Sequence, residues 1–290
     1  ALNRTDPDFD SARYYYTNAS SIFLEDGREE QYTEAVTKYA WTFAYQYQHA
    51  LSASVLDSVF EQHSDFVLSA DTARISFYNQ WAWGCLNGSR QYDAYTLYGE
   101  TIDYLDSIGL SNHFLAVNAH QQRAVSARQF GMLEAAKAEY LKVLEMSRDF
   151  PGYRAIALNS LGIVARAQGD YTLAEKYYKE VLSLEGSWQL VTNLAYLYVQ
   201  MGREQRALQL MDSVLVEVDR VADGQYGGLH SAIYYNIGEA WTGLQQYQTA
   251  TDAYKMSRLA SMATNSALSQ ANDDISIARS FLKLGLRDSA

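Results

Sequence analysis

The chain has 290 residues, 48% of them hydrophobic, with only two prolines, Pro7 and Pro151, a composition that suits an almost wholly helical chain because proline breaks helix interiors. Its formal net charge is −11 and it shows no Lys/Arg cluster, which argues against a nucleic-acid-binding face and disfavours anionic membranes. The single cysteine, Cys85, excludes an internal disulfide framework, and no apolar run approaches the roughly 20 residues of a membrane span, so no membrane insertion is expected of this segment, while a cytoplasmic and a periplasmic setting are both compatible.

The predicted elements are helices throughout. Residues 1–30 read as the second helix of a partial unit, Phe9-Asp-Ser-Ala12-Arg-Tyr-Tyr-Tyr16 supplying its small and aromatic positions. Residues 32–67 form a degenerate helical pair marked by Ala40, Phe43 and Ala53. In residues 72–110 the markers are Trp81-Ala82, then Ala94 and Tyr98. Residues 112–150 carry Gly131, Ala136 and Tyr140 behind a first helix with Ala124 and Ala127. There Arg123 stands where an aliphatic residue is expected, so either the register shifts or the helix is partly exposed.

The pattern is clearest downstream. Residues 155–187 hold Leu161-Gly162, Ala165, Gly169, Tyr171, Ala174 and Tyr178. Residues 188–228 hold Leu194-Ala195, Tyr198, Gly202, Ala207 and Met211, with a longer second helix running into the glycine-rich stretch 222–228. Residues 229–264 hold Ile237-Gly238, Trp241, Tyr247, Ala250 and Tyr254. Residues 267–290 give a first helix with Ile277-Ala278 and Phe281, followed by Gly285 and Ala290. In each unit a small residue follows an aliphatic one, and a second small residue comes twelve positions later. Leu158, Leu161, Gly162 and Ala165 share one helix face, and Ala174, Tyr178, Val181 and Leu182 face them. Gly162 and Ala174 let the helices approach; Tyr171 and Tyr178 fill the volume beside them. The half-units at both ends lead us to expect a longer polypeptide.

This recurrence resembles the tetratricopeptide repeat, a helix-turn-helix unit of about 34 residues. The resemblance implies an all-α, right-handed α-solenoid of antiparallel helix pairs, with about six full or partial repeats stabilised by nearest-neighbour stacking. It also implies that first helices line a concave groove where ligands lie. Mapped onto this chain, groove positions are Asn79, Trp83 and Asn87; Gln121, Val125 and Arg128; Asn159, Ile163 and Arg166; Thr192, Asn193, Tyr196 and Gln200; Tyr235, Asn236, Glu239 and Thr242. The candidate ligand- or partner-binding set is Asn79, Trp83, Asn159, Arg166, Asn193, Tyr196, Tyr235, Asn236 and Glu239. Amides both donate and accept, so they suit the backbone of an extended peptide; equally, they could cap helices or bond neighbouring ones. Family members that grip chaperone C-terminal carboxylates use paired Lys, Asn and Arg. Here Ile163 and Thr192 occupy clamp positions and the lysines are missing, so that clamp is rejected.

Of the 24 tyrosines, some mark the repeat core. Runs such as Tyr14-Tyr15-Tyr16, Tyr45/Tyr47 and Tyr234-Tyr235 cannot all be buried, because consecutive helical residues face different ways; each lines a surface or packs with its hydroxyl at an edge. No catalytic or metal constellation stands out. His49, His63, His113, His120 and His230 form no HExxH-like set, although His113 and His120 could share a helix face. Cys85 reads as a small core residue, and Glu25-Asp26 or Asp273-Asp274 as solvated helix ends. The Asn-X-Ser/Thr triplets at Asn3, Asn18 and Asn87 matter only in a eukaryotic secretory setting. No enzyme activity and no cofactor are expected.

Three functions remain in view. The first is a protein- or peptide-binding module forming the sensory or interaction region of a larger signalling protein, since Phe9-Asp-Ser-Ala12 and Arg287-Asp-Ser-Ala290 are similar in style to repeat regions of bacterial sensor kinases and regulators. The second is a stand-alone scaffold or assembly factor. The third is a carbohydrate-binding helical-repeat protein. Homo-oligomerisation through an apolar end is compatible with each.

Overall fold

The turns predicted from small residues do end helices, and their backbone shows how. The computed structural model describes residues 8–150, 152–184, 188–222 and 227–285. Among these residues the chain is all-α, with fourteen helices: α1 (Phe9–Glu25), α2 (Glu29–Tyr45), α3 (His49–Ser69), α4 (Thr72–Asn87), α5 (Gln91–Ser107), α6 (Phe114–Phe130), α7 (Leu133–Met146), α8 (Gly152–Ala167), α9 (Tyr171–Leu184), α10 (Trp188–Gln200), α11 (Glu204–Ala222), α12 (Gly228–Gly243), α13 (Tyr247–Ala263) and α14 (Ala267–Lys283). Nine of the connecting turns pass through one left-handed residue each: Gly27, Tyr47, Ser89, Gly109, Gly131, Gly169, Gly202, Gln245 and Asn265, with φ between 53° and 94°. That conformation suits glycine and costs other residues energy. Four of the nine turns nevertheless use another residue, which is why the repeat signature fades at Tyr47 and Ser89. Gly285 ends α14 in the same way, at φ 78°; the expected continuation to Ala290, the middle of the 222–228 turn and the Asn3 triplet lie outside the described residues.

Cα packing divides the chain into residues 1–157 and 158–290. In the first unit each helix packs on its chain neighbour, and α2 also touches α4. One apolar cluster there joins Tyr32, Leu56, Phe77, Tyr78, Ala82, Cys85 and Tyr98; a second joins Leu105, Val117, Val143 and Ala157. Cys85 is fully buried, as its small-core reading expects. In the second unit α10 packs on α9, α11 and α12, and α13 bridges α12 and α14. The core runs through Ala174, Tyr178, Leu194, Ala195, Met211, Val218 and Ile233.

The small positions are set by ring contacts. A Cβ on Gly162 would lie 2.5 Å from Tyr178 Cε1, and one on Gly238 would lie 2.5 Å from Tyr254 Cε1. Glycine is therefore required where the second-helix tyrosine lies flat against the first helix. Hydroxyl partners complete the packing at Tyr254, which donates to Glu239 Oε1 at 2.6 Å.

Two expectations change, and the alternative left open at Arg123 is decided. Ala12 and Tyr16 do not reach the full burial of Ala174 and Tyr178, because α1 packs mainly on α2 and buries no residue completely. Arg123 breaks the aliphatic pattern with a partly exposed side chain that has polar and aromatic partners. Its guanidinium lies 4.4 Å over the Tyr95 ring, against the bare backbone of Gly99, and Nη1 donates to Glu139 Oε1 at 2.9 Å. The guanidinium stacked on the Tyr95 ring and the ion pair with Glu139 replace an apolar contact. Asp273 is not a solvated helix end: it is 1% exposed between α13 and α14, with Ser261 donating to its Oδ2 at 2.9 Å.

Candidate ligand-binding grooves

In the first unit, α2, α4 and α6 present one face each to an open cavity of about 640 Å³. Thr37, Lys38 and Trp41 come from α2, Ser76, Asn79, Gln80 and Trp83 from α4, and Asn118 and Gln122 from α6; Tyr16 and Tyr98 close its edges. Residues four apart on a helix stack on one face, so Thr37/Trp41, Asn79/Trp83 and Asn118/Gln122 form three parallel pairs. Trp41 is 48% exposed and Trp83 37%. Both indoles are held from the side, Trp83 by the edge of His49 at 4.7 Å and Trp41 by Tyr45 at 4.8 Å.

The amides of this groove divide. Gln80 Nε2 donates to Ser52 Oγ at 3.1 Å. Asn79, Asn118 and Gln122 have no side-chain hydrogen-bond partner among the described residues. Lys38, the cation on the rim, is held by Glu34 at 2.6 Å, and that hydrogen bond raises its pKa. The groove thus presents two aromatic plates and three amides whose hydrogen-bonding capacity is unused.

In the second unit a cavity of about 390 Å³ is lined by Gln189, Thr192, Asn193 and Tyr196 of α10, Ser231, Tyr235 and Asn236 of α12, Ser257 of α13, and Ser269, Asn272 and Asp273 of α14. Its amide wall is braced from behind. Asn193 Nδ2 donates to Asn159 Oδ1 at 3.0 Å. Arg166 donates to Gln200 Oε1 at 3.2 Å and lays its guanidinium 4.7 Å from the Tyr196 ring centre. The Tyr235 ring rests against Tyr254 at 5.6 Å, and its burial raises its phenol pKa.

The structure therefore sorts the nine expected residues. Asn79 and Trp83 line the groove of the first unit; Asn193, Tyr196, Tyr235 and Asn236 line the cavity of the second. Asn159 and Arg166 reach that cavity through Asn193 and Tyr196. Glu239 lies elsewhere, in a cavity of about 290 Å³ with Thr242, Tyr254 and Arg279. On α6 the lining residues are Asn118 and Gln122, not Gln121 and Val125; Val125 packs on the apolar cluster of the first unit. Trp41, Asn118, Gln122, Asn272 and Asp273 escaped the sequence reading. The Thr37/Trp41 spacing, which repeats that of Asn79/Trp83, was the signal for the first.

Three of the histidines have local hydrogen-bond partners. His113 accepts at Nδ1 from the Leu115 amide at the start of α6; His120 meets Glu139 at 2.7 Å; His230 bridges the Gly227 amide and Asp219. Among the described residues no three His, Cys, Asp or Glu side chains converge as metal ligands, and no helix is long and apolar enough to cross a membrane.

Comparison with known proteins gives a consistent picture. The tetratricopeptide repeat family matches residues 93–184 and 165–233. No curated protein sequence matches the chain. Among solved structures, a tetratricopeptide repeat protein from Parabacteroides merdae is similar with TM-score 0.62 and 15% identity, covering 93% of this chain and 99% of that one. A Rap protein complexed with Competence and Sporulation Factor is similar with TM-score 0.55 and 16% identity, over 98% of this chain and 82% of that one. The Rap conjugation gene regulator of plasmid pLS20, in complex with the Phr* peptide, is similar with TM-score 0.52 and 15% identity, over 88% of this chain and 73% of that one. At these identities the likeness concerns the fold.

Proposed function

The chain is a tetratricopeptide repeat protein, and from that premise we propose that it is a non-catalytic module that binds an extended peptide or protein segment along its first helices. We assign it to the sensory or interaction region of a larger signalling or regulatory protein. The observation that carries the reading is the groove of the first unit: Asn79, Asn118 and Gln122, unpartnered, beside the exposed indoles of Trp41 and Trp83. An amide offers two donors and an acceptor, which matches the alternating N–H and C=O groups of an extended backbone. Exposed indoles supply large, rigid contact area for side chains. The braced amides of the second unit add a second surface of the same kind. A Rap regulator of similar fold is known in complex with a peptide, and this family is generally non-catalytic.

The test is selection of peptides from a randomised displayed library on the intact chain, followed by affinity measurement on variants. Truncating a groove indole removes about 2 kcal/mol or more at a binding hot spot, so Trp83→Ala should weaken selected peptides at least tenfold. Asn79→Ala should weaken them several-fold. Tyr92→Ala, outside both cavities, should leave affinity unchanged. Peptides that bind Trp83→Ala and Asn79→Ala as well as the wild type would refute the groove. A set of binders depending on Trp83 but made of oligosaccharides instead of peptides would replace the peptide reading by a sugar-binding one.

A further inference from the structure

Among the described residues Asp273 is the one carboxylate buried below a tenth of its surface, at 1% exposed. It sits on the wall of the second unit's cavity, which is otherwise lined by amides, hydroxyls and tyrosines. Only hydroxyls answer it: Ser261 Oγ donates to Oδ2 at 2.9 Å, and Ser257 stands beside it. Arg258, the cation whose charge reaches it, is held by Asp274 at 2.5 Å. No cation of the described residues forms an ion pair with Asp273.

A buried charge without a counter-ion is expensive, and proteins that keep one pair it with something. A carboxylate has about four lone-pair sites; two hydroxyls fill at most two of them. The same cavity is lined by neutral groups able to accept from a three-donor ammonium: the amides of Asn236 and Asn272 and the hydroxyls of Ser231 and Ser269. Chloride, carboxylate or phosphate would meet the wrong sign.

We propose that the cavity of residues 158–290 is a recognition site for a primary ammonium group of the bound ligand, with Asp273 as its counter-charge and Asn236 and Asn272 as further acceptors. This deepens the peptide reading and rests on it. The same chemistry has two sources, the amino terminus of a peptide or the side chain of a lysine.

The test uses the intact chain and four small probes, observed by ligand-detected NMR. Pentylammonium stands for the lysine side chain and glycinamide for the amino terminus; pentanol and N-acetylglycinamide are their neutral counterparts. We expect one cation to bind at least about tenfold more tightly than its neutral counterpart, as for a charge-assisted hydrogen-bonded pair. Asp273→Asn keeps the shape and the Ser261 hydrogen bond, and should abolish that preference. Tyr92→Ala, in the other unit and outside both cavities, should leave it intact. Preference for pentylammonium assigns lysine; preference for glycinamide assigns the amino terminus. Equal binding of cations and neutral probes, or a preference retained in Asp273→Asn, overturns the proposal. If selected peptides bind through Trp83 while no ammonium preference exists, the ammonium site falls and the peptide reading stands. If ammonium binds through Asp273 but no peptide binds, the peptide reading fails and the site remains.

Discussion

Substitution of Gly162 by alanine tests the packing rule of the repeats with a single methyl group. The new Cβ would sit 2.5 Å from Tyr178 Cε1, 2.8 Å from Cδ1 and 3.0 Å from Cζ. Carbon atoms attract best at about 3.5–4.0 Å, so the ring must retreat by roughly 1 Å. It has nowhere to go, since Tyr178 is fully buried among Ala174, Leu194 and Ala195. Overpacking of this kind costs about 1–3 kcal/mol. Replacing glycine in a helix interior returns about 1 kcal/mol of propensity. With a contact this short the upper part of the overpacking range applies, and the net cost is about 1–2 kcal/mol. Urea unfolding followed by far-ultraviolet circular dichroism measures it, with Gly152→Ala as control, because a Cβ at Gly152 meets nothing within 4 Å. The double variant Gly162→Ala/Tyr178→Leu should be more stable than the sum of its singles, because the methyl then fills space the smaller side chain leaves. A Gly162→Ala protein as stable as wild type would refute the claim that the ring contact dictates the glycine.

Gln245→Gly should stabilise the chain by about 0.5–1 kcal/mol, since Gln245 is exposed and holds a left-handed φ of 59° that glycine adopts without strain; an unchanged or lower unfolding midpoint would count against it. Burial raises the Asp273 carboxyl above its ordinary value, so its contribution to stability is full below the unfolded pKa and is lost as pH rises through the folded pKa. Asp273→Asn should therefore raise the thermal midpoint at about pH 8, with the gain shrinking towards about pH 4; a gain that grows on acidification would contradict this. Burial pushes the Cys85 thiol up to about 12, so at about pH 8 iodoacetamide should label it only as fast as the chain opens; rapid labelling of the native protein would show an accessible thiolate.

The fold was largely legible because two residues act as a pair. Gly162 with Tyr178 and Gly238 with Tyr254 leave a fixed spacing in the chain, and that spacing is the ring contact seen in space. Helices upstream were harder to read because Tyr47 and Ser89 perform in backbone conformation what glycine performs elsewhere, without its letter. The Arg123 position illustrates a different limit: Gly99, Tyr95 and Glu139, which accommodate it, lie on neighbouring helices, and a pattern confined to one helix cannot name them. For the grooves, the positions mapped from the repeat resemblance include Asn79 and Trp83, which line the cavity of the first unit, and Asn193 and Tyr235, which line that of the second. On α6 Ala124 and Ala127 are both buried, so they left the inner face undecided, and the reading fell one step off Asn118 and Gln122. Asp273 was misjudged because a pair of adjacent acids near a helix start reads as solvated, whereas α13 covers one of the two.

Photo-cross-linking tests the central claim most directly. Peptides selected on the intact chain, each carrying one benzophenone side chain, are irradiated in complex and the adducts located by mass spectrometry. The account predicts adducts on the inner faces of the first helices: near Trp41, Asn79, Trp83 and Gln122 in the first unit, or near Asn193, Tyr196 and Tyr235 in the second. Adducts confined to exposed positions on second helices, such as Tyr92 or Val216, would contradict it and place recognition on the opposite face of the repeats.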